Sequence, residues 1–207
     1  MSLIAQLPQF APERVAVGQA TVQFRRARSA LAGEAVTHVL LHGIGSASGS
    51  WLAQLQQTRA AQGLAAHVLA WDAPGYANST ALPMDTPVAA DYALRLWQWL
   101  DALGDQAAAP LTLVGHSLGA LMAAAAAGMA SKRVTRLVLL APAQGYARAD
   151  AAERDKKLAD RLANLARLGP AGMAQQRASA MLSSGASADQ VAFVAQLMAQ
   201  INPVGYS

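Results

Sequence analysis

The sequence contains no cysteine, which excludes disulfides, thiolate metal sites and a cysteine nucleophile together. Charge is also scarce: Asp, Glu, Lys and Arg make up 14% of the 207 residues against 54% hydrophobic ones, a balance that excludes intrinsic disorder. Long apolar runs are missing as well. The longest, residues 118–130, is largely alanine and meets Lys132 and Arg133, so it is too short for a bilayer and no membrane partner is expected. In the first thirty residues Pro8, Pro12, Glu13 and Arg14 stand where a secretion signal needs an uninterrupted apolar centre, and the expected location is cytoplasmic. The four histidines, His38, His42, His67 and His116, show no ligand-type spacing, so no metal is expected. An excess of 16 Lys and Arg over 12 Asp and Glu gives a net charge of +4 but forms no basic arm or aromatic-interleaved patch. A nucleic-acid partner is therefore not expected.

What is present reads as one domain with a substantial core and a small insertion. Residues 15–19 and 21–25 alternate loosely between apolar and polar, as an antiparallel hairpin at a sheet edge would. Four later apolar runs, 39–41, 68–71, 111–114 and 137–140, are short and continuous, each ending in a turn signal. Such a pattern predicts strands buried on both faces of a parallel sheet. Helical spacing separates them, over 51–59 and over 90–103, where Leu94, Trp97 and Leu100 or Asp101 recur at intervals of three to four. Strand and helix in alternation imply right-handed crossovers and a doubly wound α/β sheet. Beyond Ala141 the pattern is helix alone, with one stripe at Leu158, Leu162, Leu165 and Leu168, a break at Gly169-Pro170, and a second stripe at Val191, Val194, Met198 and Ile201. The expected organisation is a core over 1–143 and a helical lid over 144–207.

Gly115-His116-Ser117-Leu118-Gly119 directly follows the apolar run 111–114 and directly precedes the helical run 120–129. This strand, turn and helix context is what a nucleophile elbow requires. The flanking glycines let backbone pass close to backbone while Ser117 is held out at the turn, beyond the C-terminal edge of the sheet where open α/β sheets bind ligands. The helix N-terminus that follows favours a developing anion. His42-Gly43-Ile44-Gly45 follows the run 39–41, and a glycine-permitted turn there can present a backbone N–H without reorganisation. The two oxyanion donors are assigned to the amides of Ile44 and Leu118. His42 is expected to be structural, in support with Gly43, Gly115, His116 and Gly119, because in this chain order the base should come after the serine.

His42-Gly43, the segment Asp72-Ala73-Pro74-Gly75-Tyr76-Ala77-Asn78-Ser79 and Gly115-His116-Ser117-Leu118-Gly119 together resemble the α/β-hydrolase superfamily, in the right order. Within it the sequence is similar to the group holding carbon–carbon bond hydrolases, 3-oxoadipate enol-lactonases and related esterases. One departure is Ala77, where many relatives carry glycine. The resemblance implies an α/β-hydrolase fold with an inserted lid, no cofactor, and hydrolysis of a small apolar carbonyl substrate (ester, lactone or diketone) through Ser117. Met173, Met181 and Met198 of the lid would border an apolar pocket. A serine at the elbow, where dehalogenases and epoxide hydrolases of this fold use aspartate, points to acyl-enzyme or serine-assisted chemistry.

No histidine follows Ser117, and Asp150, Asp155, Asp160 and Asp189 have no apolar strand in front of them. A triad acid and base are therefore expected outside these 207 residues, with the chain alone inactive. A binding or interaction protein on the same fold is the other reading open at this point.

Overall fold

The computed structural model describes residues 1–146 and 149–206. β1 (Glu13–Val17) and β2 (Ala20–Arg28) form the expected antiparallel hairpin, turning at Gly18. β2 lies antiparallel to β4 (His67–Trp71), and β3 (His38–Leu41), β5 (Leu111–His116) and β6 (Val134–Leu140) continue the sheet in parallel. The order β1-β2-β4-β3-β5-β6 places β3 and β4 at the centre. It is an α/β sheet of six mostly parallel strands with helices on its faces.

The central strands read as unbroken apolar runs because each face has its own cover. Val39, Leu41, Leu69 and Trp71 point to one side, against α3 (Ala89–Ala102) and α4 (Leu118–Met129). Their neighbours Leu40, Val68 and Ala70 point to the other, against α2 (Leu52–Ala60) through Leu52 and Leu55. Alternation along a strand thus buries every residue. Each such leucine contributes about 1.5–3 kcal/mol by leaving water. In α3 the buried face is Ala93, Leu96, Trp97, Trp99 and Leu100, whereas Leu94, expected on the apolar stripe, is half exposed. Asp101 pairs with Arg133 at 2.7 Å instead of facing the core.

β6 departs from the reading of its apolar run as a doubly buried strand. Leu137, Val138, Leu139 and Leu140 are 39–41% exposed; among the described residues β6 pairs with β5 alone.

Beyond β6 the described chain is helical: α5 (Ala151–Arg177), α6 (Ala188–Ala199) and α7 (Pro203–Tyr206). The break at Gly169-Pro170 is present, with Gly169 at φ 60° and ψ 174° dividing α5 into two helices. Only half of the first leucine stripe is used. Leu165 and Leu168 pack with Met173, Met198, Ile201 and Tyr206, while Leu158 and Leu162 are more than 40% exposed. On α6 the buried positions are Phe193, Leu197 and Met198. Phe193 and Leu197 pack against the amino-terminal segment, where α1 (Leu3–Gln6) supplies Leu3 and Ile4 and the following turn supplies Leu7. The Leu3 N–H donates to Asp189 Oδ2 at 2.9 Å, so the first turn of the chain straps the start of α6. Among the described residues, no helix is long and apolar enough to cross a membrane, and no three His, Asp or Glu cluster as metal ligands.

Candidate active site

Ser117 sits between β5 and α4 with φ 53° and ψ −113°, a left-handed conformation that a non-glycine residue adopts only when its surroundings impose it. Those surroundings are explicit. The Ser117 N–H donates to the Leu140 carbonyl at 3.0 Å, and the Ser117 carbonyl accepts from Ala120 at 3.0 Å and Ala143 at 3.2 Å. The glycines on either side permit the turn. A Cβ on Gly115 would lie 2.4 Å from the Gly119 carbonyl oxygen, and one on Gly119 would lie 2.3 Å from that of Leu41. α4 therefore starts in direct contact with the end of β3. The Leu118 amide is the first of α4, one of the four that helix geometry leaves without an intrahelical acceptor.

The loop after β3 passes beside this turn. A Cβ on Gly43 would lie 3.1 Å from Ser117 Cβ and 3.1 Å from His116 Nδ1. His42, fully buried, donates from Nδ1 to the Gly43 carbonyl at 2.8 Å and accepts the Ala73 N–H at Nε2, 3.1 Å away. Both ring nitrogens are used to join the loops after β3 and β4, and Tyr76 packs edge-on against the ring at 4.8 Å. Burial pushes the His42 pKa down, with His116 acting the same way and Asp72 and the Gly43 carbonyl opposing. The ring is held neutral.

Asp72 ties the same two loops together: its Oδ1 accepts the Ser48 N–H at 2.6 Å and its Oδ2 accepts Gln23 Nε2 at 2.8 Å. Ser79 Oγ donates to the Asp72 carbonyl at 2.6 Å and accepts the Gln23 N–H at 2.9 Å. The segment 72–79 is thus a brace, buried at 72–76 and at Ser79. Ala77, the departure from glycine, sits at φ 46°, which explains why glycine suits that position.

Ser117 and His116 open onto a cavity of about 490 Å³. Gly43, Ile44 and Gly45 line one side of it. Phe193, Val194, Leu197 and Met198 of α6 and Met181 and Leu182 before it line the other. Met181 and Met198 therefore border the cavity as expected, but Met173 does not; it is 2% exposed and packs with Ile201 and Tyr206. Phe193 and Leu197 were not singled out in the sequence, because the 3.6-residue stripe through Val194 and Met198 hides that α6 is gripped on two faces, by the cavity and by the amino-terminal strap. Among the described residues, Arg177 is the one Lys, Arg, Asp or Glu on its wall. Among the described residues, Ser117 has no hydrogen bond to an imidazole: His38 contacts Thr37, His67 contacts Glu34 and Arg26, and His42 is spent as above.

A model of the alpha/beta hydrolase family matches residues 39–205, most of the chain and all of the loops just described. The chain belongs to the alpha/beta hydrolase family. No curated protein matches the sequence. Among solved structures, this family member is similar to a hydrolase from Pseudomonas aeruginosa PA01 (24% identity, 95% of this chain and 70% of that one, TM-score 0.69). It is also similar to an enol-lactonase from Burkholderia xenovorans LB400 (19% identity, 94% and 70%, TM-score 0.69). A third likeness is to a putative lipase from Acinetobacter baumannii AYE (18% identity, 100% and 69%, TM-score 0.67). At these identities the likeness concerns the fold. This hydrolase-family chain spans about 70% of the length of those proteins.

Proposed function

We propose that this chain carries the nucleophile and oxyanion site of a serine hydrolase acting on a small apolar carbonyl compound. Ser117 Oγ attacks the carbonyl carbon, and the amides of Ile44 and Leu118 receive the oxyanion; such donors act best when fixed beforehand in a water-poor site. The observation that carries this reading is the imposed left-handed conformation of Ser117 at the mouth of a largely apolar cavity. Strain of this kind concentrates where function repays it. The helices beyond residue 143 serve as a lid whose Phe193, Leu197 and Met198 receive the apolar part of the substrate, an ester or lactone, with the carbon–carbon bond of a diketone as the third candidate. The family resemblance and the enol-lactonase and lipase among the similar structures support that range.

No imidazole holds Ser117 here, so the base is assigned to residues outside this sequence, and the 207-residue chain alone turns over esters near background. That same observation favours one other reading, a binding protein on this fold that takes up apolar carbonyl compounds without cleaving them. Exposure to a fluorophosphonate, read by intact mass beside Ser117→Ala, separates the two. Addition of one phosphonate that depends on Ser117 supports the nucleophile; a folded protein that stays unmodified on prolonged exposure even with added imidazole standing in for the missing base supports binding. Robust Ser117-dependent turnover by the chain itself would overturn the need for an outside base.

A further inference from the structure

A second cavity, of about 340 Å³, lies where β1, β2, the loop 47–49 and the C-terminal end of α6 meet. Its polar wall includes Arg14, Gln23, Arg25, Asp72 and Asn78, with Ser48 and Gln200 beside them. Two guanidiniums thus face one carboxylate, and the carboxylate is already engaged by neutral donors, the Ser48 N–H on Oδ1 and the Gln23 amide on Oδ2. Gln23 in turn accepts from Asn78 Nδ2 at 3.0 Å and Arg14 Nε at 3.4 Å. Among the described residues the ion pairs are Arg26 with Glu13, Arg28 with Glu34 and Arg133 with Asp101; neither Arg14 nor Arg25 is in one. Arg25 spends one N–H on the Phe10 carbonyl, while its Nε is buried without a partner. Burial lowers the Arg25 pKa below its ordinary value and Asp72 opposes that fall, although no ion pair joins the two side chains. A buried charged donor left unpaired is an arrangement that proteins avoid unless something fills it.

We propose that this cavity binds a small oxyanion, a carboxylate or a phosphate, between the Arg14 and Arg25 guanidiniums. The planar fork of arginine suits two-point contact with either group. Leu197 lines this cavity and also the one at Ser117, and the loop 47–49 continues the stretch that carries Gly43 to Gly45. An anion here would tie that loop to the end of α6 and steady both walls of the Ser117 cavity. The site does not depend on the chemistry of Ser117.

Isothermal titration of the 207-residue chain with inorganic phosphate, and separately with succinate, in chloride buffers of matched ionic strength tests this. Saturable one-to-one binding of either anion is expected, and the anion that binds identifies the source. Arg14→Gln and Arg25→Gln should each weaken it at least tenfold, while Ser117→Ala and the remote charge control Arg167→Gln leave it unchanged. Arg14 is exposed, so its substitution tests the site even if Arg25→Gln fails to fold. Non-saturating heats with both anions, meaning an adventitious ion only, or wild-type affinity in folded Arg14→Gln, would overturn the proposal.

Discussion

Replacing Ser117 by glycine should stabilise the protein, and comparison with alanine isolates the reason. Both substitutions remove the hydroxyl, so their difference reports only the backbone at φ 53° and ψ −113°. A non-glycine residue held in such a region costs about 1–3 kcal/mol. Glycine removes that cost but gives back about 0.4–1 kcal/mol through the greater freedom of the unfolded chain. The expected balance is that Ser117→Gly exceeds Ser117→Ala by about 1–2 kcal/mol. In urea this appears as a higher midpoint at unchanged slope, and in a thermal scan as roughly 2–4 °C per kcal/mol for a domain of this size. Equal stabilities, or a less stable glycine variant, would refute the view that the fold stores strain at Ser117 and that this turn was shaped for something other than stability.

Gly119→Ala should cost about 3 kcal/mol or more, since its Cβ would meet the backbone oxygens of Leu41 and His42 at 2.3 and 2.6 Å and neither can rotate away; a urea midpoint close to wild type would contradict the close packing of α4 on β3. Because burial depresses the pKa of His42, the unfolded chain takes up a proton near pH 6.5 that the folded protein refuses. Stability should therefore fall as pH drops below about 6.5, by about 1.4 kcal/mol per unit from this one group until its folded pKa is reached. The non-titrating His42→Asn should show a shallower pH slope in the same urea series. Leu7→Asp places a charge between α6 and the turn after α1, and hydrogen exchange across residues 188–199 should quicken by at least tenfold; unchanged protection there would show that the amino-terminal strap holds nothing.

The sheet and the turn at Ser117 were legible in the sequence because both are local statements. Residues 39–41 and 68–71 carry apolar side chains at every position, which only a strand covered on both faces can bury, and glycines at 115 and 119 flank a single serine between a strand and a helix. The misreadings concern which face finds a partner. Leu94, Leu158 and Leu162 satisfy helical spacing yet remain exposed. Spacing records a face without saying what lies opposite it. The second cavity was equally hidden, because Arg14, Arg25, Asp72 and Asn78 come from separate segments and no short motif joins them. The two hydrogen bonds of His42, to the Gly43 carbonyl and from the Ala73 N–H, were likewise invisible in the sequence, since they join separate loops.

The strap between the first turn and α6 has a bearing on how the protein is made. Leu3 and Asp189 are 186 residues apart, so at roughly 5–20 residues per second a ribosome needs roughly 10–40 s to deliver the second after the first. For that interval Leu3 and Ile4 lack the part of their seat that Phe193 and Leu197 supply, while Leu7 can already settle near Gly49. A tag fused ahead of Met1 would enter the same junction, next to Phe193 and Leu197 on the wall of the Ser117 cavity.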